Sequence, residues 1–147
     1  MMNRIRFLAL LFIPIAAFAS PFRMKIAADN EPGQRIVIRG HVYGADGKPR
    51  RLAMFAYHTD ARGLYDRDAK GVARLHGTLL TAPDGSYEIE TIKPAPYPNR
   101  DIPAHIHVHL RGAGFDQEEE IRFEGSGATI CHLVDNRCTV DFRLRNH

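Results

Sequence analysis

Three histidines at alternate positions, His105, His107 and His109, are the strongest chemical signal in the chain. In an extended segment alternate side chains point the same way, so the imidazoles share one face and Ile106, Val108 and Leu110 the other. Two neutral imidazoles on one face form a ligand pair for zinc, copper or iron. His109 continues the series, and its position equally suits a solvated residue at the end of the strand. No carboxylate near in sequence completes a two-His, one-carboxylate set: the positions four and five after His107 are Arg111 and Gly112. Only folding can bring one in. His41, His58, His76 and His132 stand apart from one another and read as structural.

Two other stretches combine a tyrosine with turn-forming residues. One runs from Tyr57 to Tyr65, and the other places Tyr97 between Pro96 and Pro98. Rigid loops beside a scaffold are where sites are commonly built, although either tyrosine alone would as readily cap a core.

The elements that must position these groups read as strands. Short apolar-alternating runs cover Arg35 to Gly44, Leu52 to His58, Ala73 to Thr81, Tyr87 to Ile92, Ala104 to Leu110 and Glu119 to Phe123. They are separated by turn chemistry at Asp46-Gly47, Pro83-Asp84-Gly85 and Gly112-Ala113-Gly114. No helical periodicity persists over three turns, so the pattern predicts an all-β, antiparallel β-sandwich whose long turn-rich loops carry the site. Cys131 and Cys138 flank an Asp135-Asn136 turn and are the only cysteines, which predicts a disulfide closing a small loop between two short strands.

The first 19 residues carry Arg4 and Arg6, a short apolar run interrupted by Pro14, and the small-residue exit Ala17-Phe18-Ala19. That is a secretory signal, cut after Ala19, and it predicts a periplasmic or secreted protein in an oxidising compartment. Residues 20–34 lack periodicity and form a leader or edge segment; residues 35–147 form one domain. The whole chain of 147 residues has a formal charge of +3, but the signal holds two of its basic residues and no acid. The mature part is close to neutral, with no basic footprint for nucleic acid and no apolar run long enough for stable membrane insertion.

Taken in order, five blocks resemble the intradiol ring-cleavage dioxygenases, the catechol and protocatechuate 3,4-type enzymes. They are Gly40-x-Val42-x-x-x-Asp46-Gly47-x-Pro49, then Asp60-Ala61-x-Gly63-x-Tyr65, then Asp84-Gly85-x-Tyr87-x-x-x-Thr91-Ile92, Pro96-Tyr97-Pro98 and Pro103-Ala104-His105-Ile106-His107. The resemblance implies a mononuclear, non-haem Fe(III) held by Tyr65, Tyr97, His105 and His107. Two phenolates and a hydroxide would balance its three charges, and so hard an ion deprotonates a phenol near neutral pH. It further implies a small aromatic diol and O2 as substrates, the ring opening between its two hydroxyl-bearing carbons and both oxygen atoms entering a diacid. Tyr97 is by resemblance the ligand that gives way to substrate, and Tyr65 the one that stays. A homo-oligomer is left open.

Three positions depart from the family pattern. Ile102 stands where an Arg beside the substrate is usual, with Arg100 the candidate to reach the same space. Tyr57-His58 replaces a Trp-Gln pair, and an acid, Glu120, replaces a Gln. These departures keep open a second reading, a non-catalytic β-sandwich binding or accessory module with or without the iron. A zinc or copper site on His105, His107 and His109 is a third.

Overall fold

Alternation of buried and exposed side chains runs through nine strands in the computed structural model, which describes residues 22–146. They are β1 (Arg23–Lys25), β2 (Arg35–Tyr43), β3 (Ala53–His58), β4 (Leu75–Leu80), β5 (Ser86–Ile92), β6 (His105–Gly112), β7 (Phe115–Arg122), β8 (Arg137–Thr139) and β9 (Phe142–Arg143). No helix occurs among the described residues. The secretory signal assigned to residues 1–19 lies outside them.

Two sheets result. One has the order β1-β5-β2-β8, with β9 also on β2; the other has the order β4-β3-β6-β7. The apolar faces of both sheets contribute to one core, in which Ile38, Met54, Ala56, Ile89, Ile106 and Leu110 have no solvent exposure. The expected all-β sandwich is thus present, and every pairing in the second sheet is antiparallel.

The first sheet differs from a purely antiparallel one. β1 joins β5 in parallel, with Arg23 opposite Glu88 and Lys25 opposite Glu90, and Arg23 bridges both carboxylates at 2.9 Å. Part of the 20–34 segment is therefore an edge strand, and it sends Met24 and Ala27 into the core. β8 and β9 also lie parallel to β2. The cysteine segment accordingly differs from the expected two-strand hairpin. Its turn forms, with Asp135 and Asn136 both left-handed and Val134 and Arg137 exchanging backbone bonds of 2.9 Å. Only the second arm becomes a strand, because the free edge of β2 offers it a longer run of backbone partners than its own short hairpin does.

Cys131 and Cys138 form the expected disulfide, seven residues apart. Closing so short a loop stabilises by roughly 2–2.5 kcal/mol through lost chain entropy in the unfolded state. A Cys131→Ala/Cys138→Ala double variant should lose about that much in urea unfolding. It should keep any metal the protein binds: the bridge joins β8 of the first sheet to the segment that Cys131 N–H fastens to the Arg122 carbonyl of β7 at 2.7 Å, and neither cysteine contacts Tyr65, Tyr97, His105 or His107.

The outward face of the second sheet carries the chemistry. Its register sets His76, Tyr57, His107 and Glu120 in one row across four strands, with Phe55, His109 and Glu118 in the next.

Candidate metal centre

Four donor atoms from three chain segments converge at the N-terminal end of β6. Tyr65 comes from the β3–β4 loop, Tyr97 from the β5–β6 loop, and His105 and His107 from β6 itself. The Tyr97 hydroxyl lies 3.3 Å from His105 Nε2, and His105 Nε2 lies 3.0 Å from His107 Nε2. His107 Nε2 lies 3.1 Å from the Tyr65 hydroxyl, and the two hydroxyls hydrogen-bond to each other, closing the ring. Metal–donor bonds of roughly 2.0–2.2 Å at angles of about 90–110° require donors roughly 2.8–3.6 Å apart. Three of the four edges of the ring, all those that involve an imidazole, have the length a single transition-metal ion needs.

The protons are arranged for a cation too. His105 Nδ1 lies 2.8 Å from the Pro103 carbonyl, which can only accept, so in the neutral ring Nε2 is a lone pair aimed at the centre. Burial, and then the neighbouring His105, hold His107 below the usual imidazole value. Its Nδ1 faces the Glu120 carboxylate at 3.9 Å, which favours the proton on that nitrogen. Two Nε2 lone pairs then oppose each other across 3.0 Å, a contact that a cation relieves. Burial, and then the Tyr97 hydroxyl, push the Tyr65 phenol well above its ordinary value, so Tyr65 ionises only against a strong positive charge. Two phenolic oxygens with two imidazoles suit a hard, highly charged ion such as Fe(III), and the residues fit that group.

The β3–β4 loop owes its shape to Asp60, a buried carboxylate that accepts backbone N–H bonds from Arg62 at 2.8 Å and Leu64 at 3.1 Å. Burial opposes its ionisation, but these bonds and the Arg62 guanidinium hold its carboxyl below the usual range. Arg74 adds a second cation at 3.7 Å and is itself clamped by both oxygens of Glu31. The two tyrosine loops are then tied together. Thr59 donates to the Ala95 carbonyl at 2.7 Å, Ala95 N–H donates to the Asp60 carbonyl at 3.1 Å, and Gly63 packs on the Pro96 carbonyl.

Around the ring, Tyr57 stacks on His107 with centroids 4.6 Å apart and planes 16° from parallel. Glu120 lies opposite His107 in the β6–β7 register and is gripped by Arg122 at 2.8 and 3.0 Å. Burial works against its ionisation, but Arg122 and the two imidazoles outweigh that and hold its carboxyl below the usual range. His105, His107 and Glu120 also bring ligand atoms within 4.8 Å of one another, so folding does supply the carboxylate that sequence spacing did not. The tyrosine oxygens are nearer to the imidazole Nε2 atoms and close the ring; Glu120 stands outside it, behind His107.

His109 is outside as well, donating through Nε2 to Asp116 at 2.6 Å. His58 is fully buried, with its ring nitrogens 2.7 Å from the Thr59 carbonyl and the Thr91 hydroxyl, which is the structural role expected of it. Arg100 lines a cavity of about 480 Å³ beside Tyr97, together with Ile102 and Pro103. Its side chain makes no hydrogen bond or ion pair among the described residues. A second cavity of about 480 Å³ opens against His107, lined by Tyr57, Glu118, Glu120 and Arg122. Either is large enough for a small aromatic molecule.

The chain is similar in sequence and fold to known dioxygenases. A family model described as Dioxygenase matches residues 11–141. The chain is 29% identical over 104 residues to catechol 1,2-dioxygenase 2 of Acinetobacter lwoffii, covering 58% of this chain and 38% of that protein. It is 29% identical over 108 residues to 6-chlorohydroxyquinol 1,2-dioxygenase of Cupriavidus pinatubonensis, covering 60% and 39%. The aligned stretch is about two fifths of either relative's length. Among solved structures, the dioxygenase domain of a dioxygenase–carbohydrate-binding fusion from Streptomyces sp. SirexAA-E superposes with a TM-score of 0.68 at 25% identity, covering 90% of this chain and 94% of that one. The 3-chlorocatechol 1,2-dioxygenase of Rhodococcus opacus 1CP gives 0.68 at 21% identity, covering 92% and 68%, a likeness of fold.

Proposed function

The chain belongs to the intradiol ring-cleavage dioxygenase family, and from that premise we propose that it is an exported enzyme using iron(III) and O2 to open a catechol-type ring between its hydroxyl-bearing carbons. The observation that carries this reading is the closed ring of Tyr65, Tyr97, His105 and His107. Iron(III) held by these four residues would supply a Lewis acid at the diol's oxygens.

The chain's own residues do the rest. Tyr97, carried on a loop rather than a strand and lining a cavity, is the phenolate placed to take a proton from an arriving hydroxyl and swing away. Tyr65, whose loop is fastened by Asp60 and Arg74, stays. The Pro103 carbonyl keeps the His105 proton on Nδ1, so Nε2 remains a ligand throughout. Ile102, 38% exposed, gives the cavity beside Tyr97 an apolar patch where the family pattern has an arginine, and Arg100 lines the same cavity as the cation available to an arriving substrate.

Iron retention separates the histidines. His105→Ala should lower iron(III) affinity by at least about 100-fold, above the roughly 10–100-fold cost of losing a group behind a ligand. His109→Ala should stay within about twofold of the wild type, because its ring is turned to Asp116. Metal content after dialysis against a chelator measures both. A zinc or copper site on the three histidines requires the two variants to behave alike.

Activity is tested on mature protein starting at Ser20 and loaded with iron. With a panel of catechols in an oxygen electrode, one O2 should be consumed per diol, and a muconate-type diacid should appear. Iron binding without O2 uptake on any diol would instead favour the binding-module reading, for which Ile102 in place of an arginine is the specific support. Export is tested by the mass of the protein recovered outside the cytoplasm, expected to begin at Ser20.

A further inference from the structure

Beyond Tyr65 the chain folds back on itself before entering β4, in a loop built around Asp68. Asp68 Oδ1 accepts from the N–H groups of Lys70 at 2.8 Å and Val72 at 2.9 Å, and its own N–H donates to the Val72 carbonyl at 2.9 Å. Arg74 N–H closes the loop on the Tyr65 carbonyl at 2.9 Å. The product of this folding is the position of Arg67. Its guanidinium carbon lies 4.5 Å from the centroid of the Tyr65 ring, and its Nη1 donates to the Gly71 carbonyl at 2.5 Å.

Arg67 stands between two aspartates in sequence and pairs with neither. Asp66 is taken by Arg62 at 2.5 Å and faces Arg74 at 3.6 Å, while Asp68 is occupied by the backbone of its own loop. Among the described residues no carboxylate forms an ion pair with Arg67. Its charge is left for the ring it covers, and no cation covers the ring of Tyr97 among the described residues.

Resting on the ligand set proposed above, we propose that Arg67 is a positioning residue of the metal centre: held over the Tyr65 ring, its cation stabilises negative charge on that phenolate and weakens its donation to the ferric ion. Attraction between a guanidinium and an aromatic face grows when the ring carries charge. The two phenolates are thereby made unequal. Tyr65 becomes the weaker donor and Tyr97 the oxygen with the greater share of negative charge.

The test uses iron-loaded protein, with the phenolate-to-iron(III) absorption band and the Fe(III)/Fe(II) midpoint potential as readouts. Arg67→Gln removes the cation nearest the electron donor, so the band should move to longer wavelength and the potential should fall. Arg67→Lys, which retains a cation, should restore most of both shifts. Arg39→Gln, a charge loss on the far sheet where Arg39 pairs with Glu88 at 2.5 Å, should move neither. Arg67→Gln indistinguishable from Arg39→Gln overturns the proposal while leaving the ligand set standing. A wild-type protein that takes up iron without any such band overturns the ligand set, and this proposal with it.

Discussion

Replacing Tyr65 by Phe is expected to lower iron(III) affinity by more than about 100-fold and to abolish ring cleavage, since even groups behind the ligands are worth roughly 10–100-fold. The substitution deletes one oxygen and leaves the ring volume unchanged. It opens the donor ring on two sides, because the Tyr65 hydroxyl touches both Tyr97 and His107 Nε2. It also removes one of the two anionic charges available to neutralise a trivalent ion. Stability of the metal-free protein should fall by only about 1 kcal/mol, since the phenol is neutral there and the substitution removes one half-buried hydroxyl with its bonds to Tyr97 and His107. A competition titration against a chelator, with thermal unfolding in parallel, separates the two effects. Wild-type iron affinity in Tyr65→Phe would remove Tyr65 from the site.

Gly63→Ala should do the opposite, destabilising the fold and loosening the site together. Gly63 sits at φ +82°, and a Cβ there would meet the Pro96 carbonyl oxygen at 2.2 Å. The left-handed conformation alone costs about 1–2 kcal/mol for a residue with a side chain. A collision with backbone oxygen cannot be relieved by a rotamer change, so the total should reach about 3 kcal/mol, roughly 10 °C in Tm for a domain of this size. The only escape is to part the two loops, which carries Tyr97 away from Tyr65. Gly114→Ala is the control, with φ +83° and nothing within 4 Å of the added carbon: it should cost only the conformational strain and leave iron binding intact. Equal effects of the two substitutions would mean that the Gly63–Pro96 contact does not hold the tyrosine loops together.

What the sequence disclosed follows from how local each signal is. The face shared by His105 and His107 needs only strand alternation, and their partners Ile106, Val108 and Leu110 are buried as that alternation requires. The disulfide needs only two cysteines and a turn. The parallel attachment of β1, β8 and β9 has no local signature, because it depends on which edges of β2 and β5 remain open after the central strands pair. The site divides in the same way. Tyr65 and Tyr97 stand 32 residues apart, and periodicity does not relate them; an ordered set of motif blocks did. Glu120 could have been located from the tight Gly112-Ala113-Gly114 turn, which sets the β6–β7 register and places it opposite His107. Arg67 and the Gly63–Pro96 contact left no such trace, since each depends on a loop folding back in three dimensions.

Resonance Raman spectroscopy of the iron-loaded mature protein, excited in its visible band, tests the ligand set most directly. Tyrosinate ring modes from two distinct residues are expected, one set disappearing in Tyr65→Phe and the other in Tyr97→Phe. Stoichiometric iron with no tyrosinate modes would mean that the metal rests on His105, His107 and Glu120 instead, and the phenolate centre would be contradicted.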